Sequence, residues 1–432
     1  MGEGPDELGA RNVTWVAGAH LCCSCGACQV ACPSEAVGFQ ETPGGYCFPE
    51  VDEGLCTGCG LCLRCCPSVT LDERLLGAFS GDLLAGNVLG CWAGKATDEA
   101  VYRGSQSGGA ASAISLALLE GGRVAGVSVV SMKSGSPPRA IARIARDREG
   151  VLAAQGSKYC PVPTLSVLRA LPDDAAPLAF VGLPCQVHGL RNLLGVFPKL
   201  RTKISLMIGL VCDRVLSCAA IDYLLWRAGL RADQVAGFQY RSKEWKGYPG
   251  DVRVKAAGRT PVFLPKSERI ALKHHLTPAR CRLCFDKMNV FADLTVGDPH
   301  GLRAVDRKHG ESLVVARTPA GREAVELAQE VGALRLTEAS YTDALQGQDL
   351  EKKKTEWASY CAAWRELSRP LPPWYRALGV STPSGKSAAF SRVLRRAVAL
   401  DGYGSRRALV KAVRRRVAWA RGVRRIARLF GR

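Results

Sequence analysis

The chain has 432 residues, 47% hydrophobic and only 7% aromatic, with 19 cysteines and a formal net charge of +20. That length holds two or three domains with real cores, and a composition rich in Gly, Ala, Val and Leu suits an α/β protein. No apolar run reaches transmembrane length, and cysteines in metal-type spacings exclude the disulfide scaffold of a short secreted chain. The basicity is local: Lys386 to Arg432 carries fifteen Lys/Arg against the single acid Asp401, so +14 of the +20 lies there and about +6 elsewhere.

Residues 1–19 are Gly-rich and charged and read as a loose lead-in without a signal peptide, so a reducing cytosol is expected. Two cysteine runs follow, Cys22, Cys25, Cys28 and Cys32 before Pro33, then Cys56, Cys59, Cys62 and Cys66 before Pro67. Each is C-x2-C-x2-C-x3-C-P, the bacterial ferredoxin pattern, in which three close thiolates wrap one iron–sulfur cube and the fourth reaches the other. Cys22, Cys25, Cys28 and Cys66 are therefore expected to hold one 4Fe–4S cluster, and Cys56, Cys59, Cys62 and Cys32 a second, in a domain over 20–72. The alternative is two structural zinc sites, which C-x2-C also suits but which do not need the doubled pattern. Two adjacent clusters make a wire for single electrons, and the rest of the chain should be its terminus.

Between the runs, Gly44 to Pro49 reads as a hairpin turn and short strand. Cys23, Cys47 and Cys65 fall outside the ligand register and read as small core residues. Gly81 to Gly94 reads as a linker, with Cys91 a packing residue. The second domain, 85–370, opens with Ser105-Gln106-Ser107-Gly108-Gly109, a helical apolar run, the stop Gly121-Gly122 and a strand. A small-residue loop at a helix N-terminus is where a phosphate belongs, although it also serves as a plain N-cap. Gln155 to Tyr159 combines a flexible backbone with a cation and an aromatic, which suits either a nucleotide or a surface turn.

Two strand units come next. Leu178–Val181 is followed by Cys185, and the apolar run Ile204–Cys212 ends on Cys212. Ligands of parallel sheets lie beyond the carboxyl ends of the strands. With the C-x2-C pair Cys281 and Cys284, these two cysteines are candidates for a third 4Fe–4S site. The rivals are a zinc site, or Cys185 as a nucleophile with His188. Cys218 and Cys361 read as structural. The tail, 386–432, places apolar residues at 410, 413, 417, 420, 427 and 430 among arginines. That pattern is an amphipathic basic helix, packed on its own domain or docked on anionic lipid or an acidic partner.

The order of these motifs resembles the family of coenzyme F420 hydrogenase/dehydrogenase beta subunits, with a fused ferredoxin domain. The likeness spans roughly residues 20–350 and rests on Gly45 to Pro49, SQSGG, GSKY, FVGLPCQVHGL, the Cys212 segment, YRSKEWKGYPGD, CRLC and ADLTVGDPHG. The resemblance implies an FAD-containing iron–sulfur protein. Ser107, Gly108 and Gly109 would bind the FAD phosphates, Ser157, Lys158 and Tyr159 would line the flavin, and Cys185, Cys212, Cys281 and Cys284 would hold the cluster nearest it. The chain departs from the family pattern at Asp213-Arg214, at Tyr240-Arg241-Ser242-Lys243 and at Pro299-His300.

The expectation is an α/β fold with an N-terminal dicluster ferredoxin domain and a basic helical tail. The protein would be a cytoplasmic oxidoreductase, membrane-peripheral or free, with three 4Fe–4S clusters and FAD. It would pass electrons between a ferredoxin or partner subunit and a small two-electron substrate, coenzyme F420 first. The alternatives are a non-catalytic electron-transfer subunit and a ferredoxin-dependent reductase of an organic substrate. A zinc-structured nucleic-acid binder is the poorest reading of the tail.

Overall fold

The computed structural model describes residues 12–71, 82–172, 174–302, 306, 308–378 and 387–429. Helices α1 (Ala27–Ala31) and α2 (Leu61–Arg64) each start directly after a left-handed glycine, Gly26 at φ 92° and Gly60 at φ 70°. Each carries the third cysteine of its run. Strands β1 (Val37–Glu41) and β2 (Cys47–Val51) pair antiparallel between them, with Gly45 at φ 79° in the expected turn. The lead-in is more ordered than its composition suggests. Thr14–Gly18 is a helical turn, and Val13 and Val16 are buried. Residues 1–11 of the expected lead-in lie outside the described residues, as do 72–81 around the start of the expected linker.

The linker is also shorter than expected, because β3 (Gly90–Ala96) already belongs to the main sheet and buries Cys91. Helix α3 (Ala110–Glu120) then stops at Gly121 and Gly122, the latter at φ 66°. Strands β4 (Gly126–Lys133), β5 (Arg139–Ala145) and β6 (Leu178–Gly182), helix α4 (Pro184–Val196), strand β7 (Ile204–Leu210) and helix α5 (Ala219–Arg227) continue the domain. Strands β8 (Val235–Ser242), β9 (Asp251–Ala256) and β10 (Val262–Leu264) form a separate antiparallel sheet. Helices α6 (Lys266–Leu276) and α7 (Ala279–Arg282) precede β11 (Leu294–Gly297), β12 (Ser312–Ala316), β13 (Leu334–Glu338) and helix α8 (Leu350–Glu366).

The main sheet has eight strands in the order β13-β3-β12-β11-β7-β6-β4-β5. Its centre, β11-β7-β6-β4, is parallel, and its margins are antiparallel. Central parallel strands covered on both faces read as continuous apolar runs, which is why Leu178–Gly182 and Ile204–Leu210 stand out in the sequence. The cysteine-rich unit is not a separate bead. Leu21, Ala27 and Leu63 share one core with Leu165, Val187 and Leu190 of the second domain. Leu165 N–H donates to Cys25 O at 2.9 Å across that junction.

The tail forms α9 (Ser387–Val398) and α10 (Arg406–Leu429). Leu409, Val413 and Val417 are buried in the core built by α5 and α6. Of the two placements expected for the apolar stripe, packing on its own domain holds over 409–417, where the stripe faces the protein's own interior. Val410 is half-buried, Trp419 is 72% exposed, and Phe430 lies outside the described residues. Among the described residues no helix is long and apolar enough to cross a membrane.

Candidate redox site

The structure brings Cys22, Cys25, Cys28 and Cys66 around one small cavity closed by Phe39 and Pro49. Burial and the neighbouring thiols push Cys28 upward, and push Cys66 to about 12. The second ferredoxin set is nearer the surface: Cys62 is buried, Cys56 and Cys32 are half-buried, and Cys59 is exposed. The Cys62 thiol is raised by burial and then by Cys59 and Cys32, while Asn12 Nδ2 donates to Cys56 Sγ at 3.8 Å.

Cys185 sits in the first turn of α4, beyond β6, and Cys212 lies two residues beyond β7. Cys281 is in α7, and Cys284 follows it. Charge coupling links Cys212 with Cys281 and Cys284, and Cys185 with Cys284 and Cys212. Cys212 is pushed up by burial, then by Cys281 and Cys284. Cys185 is pushed up by contact with Cys23, then by burial, Cys284 and Cys212. Thiols that raise each other's pKa suit a positive metal core, because a bound metal deprotonates the coordinating thiol outright. The groups are loose: among the described residues no three Cys, His, Asp or Glu stand close enough to grip a single ion. A raised Cys185 is the opposite of an activated nucleophile. His188 packs its ring against Phe291 at 5.4 Å and Trp374 at 6.1 Å.

Cys23 packs against the core as expected of a residue outside the ligand register, and its thiol also contacts both Cys25 and Cys185, and so joins the first cysteine group to the second-domain group. The only signal was the Cys22-Cys23 doublet, which spacing rules discard.

A cavity of about 510 Å³ opens at the carboxyl ends of β6, β7 and β11, with Gly182, Leu210, Gly297 and Cys212 in its wall. Gly109, the N-cap of α3 at φ 84°, lines it together with Ser107, Ala111 and Ser112. Gly108 does not: it packs on the sheet, where a Cβ would lie 2.3 Å from Gly94 O. Lys243 Nζ pins the loop by donating to Ser107 O at 2.8 Å and Tyr102 O at 2.9 Å.

Ser157, Lys158 and Tyr159 also line the cavity, so this segment is no surface turn. Burial lowers Lys158 to about 7, and its Nζ donates to Ala154 O and Gln155 O. Burial would raise the Tyr159 phenol, but the Arg241 and Arg269 guanidiniums outweigh it and the net shift is downward. Arg241 is itself paired with Asp298 at 2.9 Å, and Arg269 lies 4.7 Å over the Tyr159 ring. Arg214, Lys273 and Lys287 complete a cationic wall that Asp213, Asp298 and Asp349 only partly offset. Arg269, Lys273 and Lys287 belong to no motif and converge only in the fold. The residues fit a phosphate-bearing dinucleotide: a helix N-terminus faces the cavity, the wall is cationic, and the volume is typical of cofactor pockets.

A sequence model described as the coenzyme F420 hydrogenase/dehydrogenase beta subunit N-terminus matches residues 91–169, and its C-terminal counterpart matches 176–341. The chain belongs to the family of coenzyme F420 hydrogenase/dehydrogenase beta subunits. With that family it takes its place among the oxidoreductases. The coenzyme F420 hydrogenase beta subunit of Methanococcus voltae is 27% identical over 298 residues, 66% of this chain and 99% of that protein. An F(420)H(2) dehydrogenase subunit of Methanosarcina mazei is 27% identical, over 72% of this chain and 83% of its own length. Coenzyme F420-dependent sulfite reductase of Methanocaldococcus jannaschii is also 27% identical, with 72% of this chain matching 47% of that protein. A chain of the F420-reducing [NiFe] hydrogenase complex from Methanosarcina barkeri is 21% identical, with a TM-score of 0.48 over 64% of this chain and 94% of that one.

Proposed function

We propose that this member of the family is a flavin-dependent iron–sulfur oxidoreductase. It exchanges single electrons with a ferredoxin or partner subunit, and a two-electron equivalent with coenzyme F420. One observation carries the reading: Cys212 belongs both to the second-domain cysteine group and to the wall of the cationic cavity. A single-electron carrier and a hydride carrier would then be neighbours.

Cys22, Cys25, Cys28 and Cys66 would hold one 4Fe–4S cluster, Cys56, Cys59, Cys62 and Cys32 a second, and Cys185, Cys212, Cys281 and Cys284 a third. FAD, when bound, supplies the exchange between one- and two-electron chemistry. The chain's own residues position it. Ser107 and Gly109 present the first turn of α3 to the pyrophosphate, with Gly108 packing the loop onto the sheet. Lys158 and Tyr159, which line the cavity, would lie beside the ring. Arg214, Arg241, Arg269 and Lys273 hold the anionic parts of the ligands. Exposure orders the route: Cys59 is at the surface, Cys25, Cys28 and Cys66 of the first group are buried with Cys22 half-buried, and Cys23 would lead from that group to Cys185.

Two relatives are named as subunits, which favours a second reading in which the chain serves a larger complex and does not turn over alone. Anaerobic reconstitution of the full chain tests both. The first reading expects about twelve irons and one FAD per chain, with flavin bleaching by reduced F420 and electrons passing on to ferredoxin. Bound flavin that responds to neither partner in the isolated chain would leave the second reading. A protein without flavin would overturn both.

A further inference from the structure

Arg280 immediately precedes Cys281 in α7 and is 4% exposed. Its Nε donates to Ser68 Oγ at 3.0 Å, and its guanidinium lies 5.8 Å from the Trp374 ring centre. Its Nη1 is buried with no hydrogen-bond partner among the described residues. Ser68 Oγ in turn donates to Leu21 O, and Trp374 Nε1 donates to Pro67 O at 3.2 Å. Arg280 is thereby tied to both segments that bring cysteines to the first ferredoxin group, Leu21-Cys22 and Cys66-Pro67-Ser68. It stands between the two cysteine sets: Cys281 is its neighbour in α7, and Cys66 lies two residues before its hydrogen-bond partner Ser68.

A buried cation with an unsatisfied nitrogen is costly unless an anion faces it. Here the groups that can carry that charge are thiolates of two different cysteine sets. We infer that Arg280 is a shared counter-ion between the first ferredoxin cluster and the second-domain cluster, and that it raises the reduction potential of both. The inference rests on the three-cluster reading above. The step it governs is a one-electron exchange, with one cluster oxidised as the other is reduced and no bond made or broken. Reduction adds negative charge, so a fixed cation favours the reduced form, and a cation between two clusters smooths the step between them. The remote set, Cys56, Cys59, Cys62 and Cys32, lies nearer the surface than the buried Arg280, with Cys59 exposed.

Arg280→Gln and Arg280→Lys, made in the full chain and reconstituted without oxygen, test this by redox titration with electron paramagnetic resonance. Wild type should first hold about twelve irons; about eight would refute the three-cluster reading and with it the shared counter-ion. With iron intact, Arg280→Gln should make both junction clusters at least tenfold harder to reduce, a shift of ~59 mV for one electron. The remote cluster should stay put, and Arg280→Lys should recover most of the shift. Unchanged junction potentials in a fully loaded glutamine variant overturn the inference while leaving the three-cluster reading intact. If the glutamine variant cannot hold iron, the lysine variant decides. Full iron and near-wild-type potentials support a role for charge, whereas loss of iron in both variants makes Arg280 a packing residue and overturns it.

Discussion

The assignment of the 105–109 loop can be tested by separating strain from charge at Gly109. That residue caps α3 at φ 84°, and an added Cβ would meet Val101 O at 3.2 Å and the Ala96 Cβ at 3.3 Å. Gly109→Ala should therefore cost ~1–2 kcal/mol for the left-handed backbone, with only small shifts in its neighbours. A thermal melt should fall by a few degrees, and FAD should remain. Gly109→Glu carries the same strain plus a carboxylate whose Cβ starts against Val101 and Ala96, so that it escapes burial only by turning back to the cavity that Gly109 lines. At about 4 Å from a phosphate charge and an effective dielectric of about 20, the repulsion is ~4 kcal/mol, or roughly a thousandfold in flavin affinity. The assay is flavin and iron per chain after gel filtration of the anaerobically reconstituted protein. The alanine variant should keep both, and the glutamate variant should keep iron and lose FAD. A glutamate variant that holds FAD at wild-type affinity would show that this loop does not face the pyrophosphate. Loss from both variants would make the effect one of backbone strain alone.

Three further outcomes follow from the geometry. Replacing Cys281 and Cys284 together with Ser should cut iron by about a third while the ferredoxin clusters still take up dithionite electrons; iron staying near wild type would refute the ligand assignment. Burial holds Lys158 near a pKa of about 7, with Cys160 and Arg143 as its charged neighbours, so it is largely neutral above that pH until an anion binds. Affinity for FAD or F420 should then weaken as pH rises above about 7, because binding must take up a proton. Stability without ligand should rise with pH between about 7 and the free-lysine value of 10.5, where the unfolded chain binds the extra proton. Both slopes should vanish in Lys158→Met, and equal slopes in that variant would refute the assignment. Val413→Asp should cost roughly 3 kcal/mol or more, since Val413 is fully buried. Trp419→Asp, on the outer face of the same helix, should change the melting temperature little, and equal losses would contradict the packing described.

The ferredoxin spacing, the strand-then-cysteine units and the glycine loop were legible because each is a local pattern with one physical cause. Cysteine runs fix which thiols can share a cube, and apolar runs of five to seven residues mark central parallel strands. What was not legible is convergence. Arg269, Lys273 and Lys287 are unremarkable basic residues until the fold turns them to one cavity. Cys23 packs against the core as its place outside the ligand register implies, but its contact with Cys185 crosses from one unit to the other and has no trace along the chain. The residues of the Gln155–Tyr159 segment suited a nucleotide and a surface turn equally for the same reason, since the packing that buries Lys158 belongs to other elements.

The tail shows how a charge count describes a segment without saying where it points. A helix with arginines on one side and valines on the other has the same pattern whether its apolar face meets lipid or the protein's own core. The deciding partners are far away in sequence. Arg406 pairs with Glu41 of the β1 strand and with Asp222 of α5, the latter at 3.1 Å, and Arg421 pairs with Glu268 of α6 at 2.7 Å. Asp401, the tail's single acid, accepts from Gly44 N at 3.0 Å and from Thr42 Oγ1 in the ferredoxin hairpin. Tyr46 of that hairpin donates its hydroxyl to Ala397 O at 2.7 Å. The tail thus straps the hairpin between the two cysteine runs to the second domain, and part of its charge is internal. Cutting it away would expose the α5–α6 core and release the hairpin together, so a truncation reports on folding before it reports on docking. Among the described residues, Arg392, Arg395, Arg396, Arg407, Lys411, Arg414 and Arg415 face outward with Trp419, and a docking role for the tail stands or falls on point changes among them.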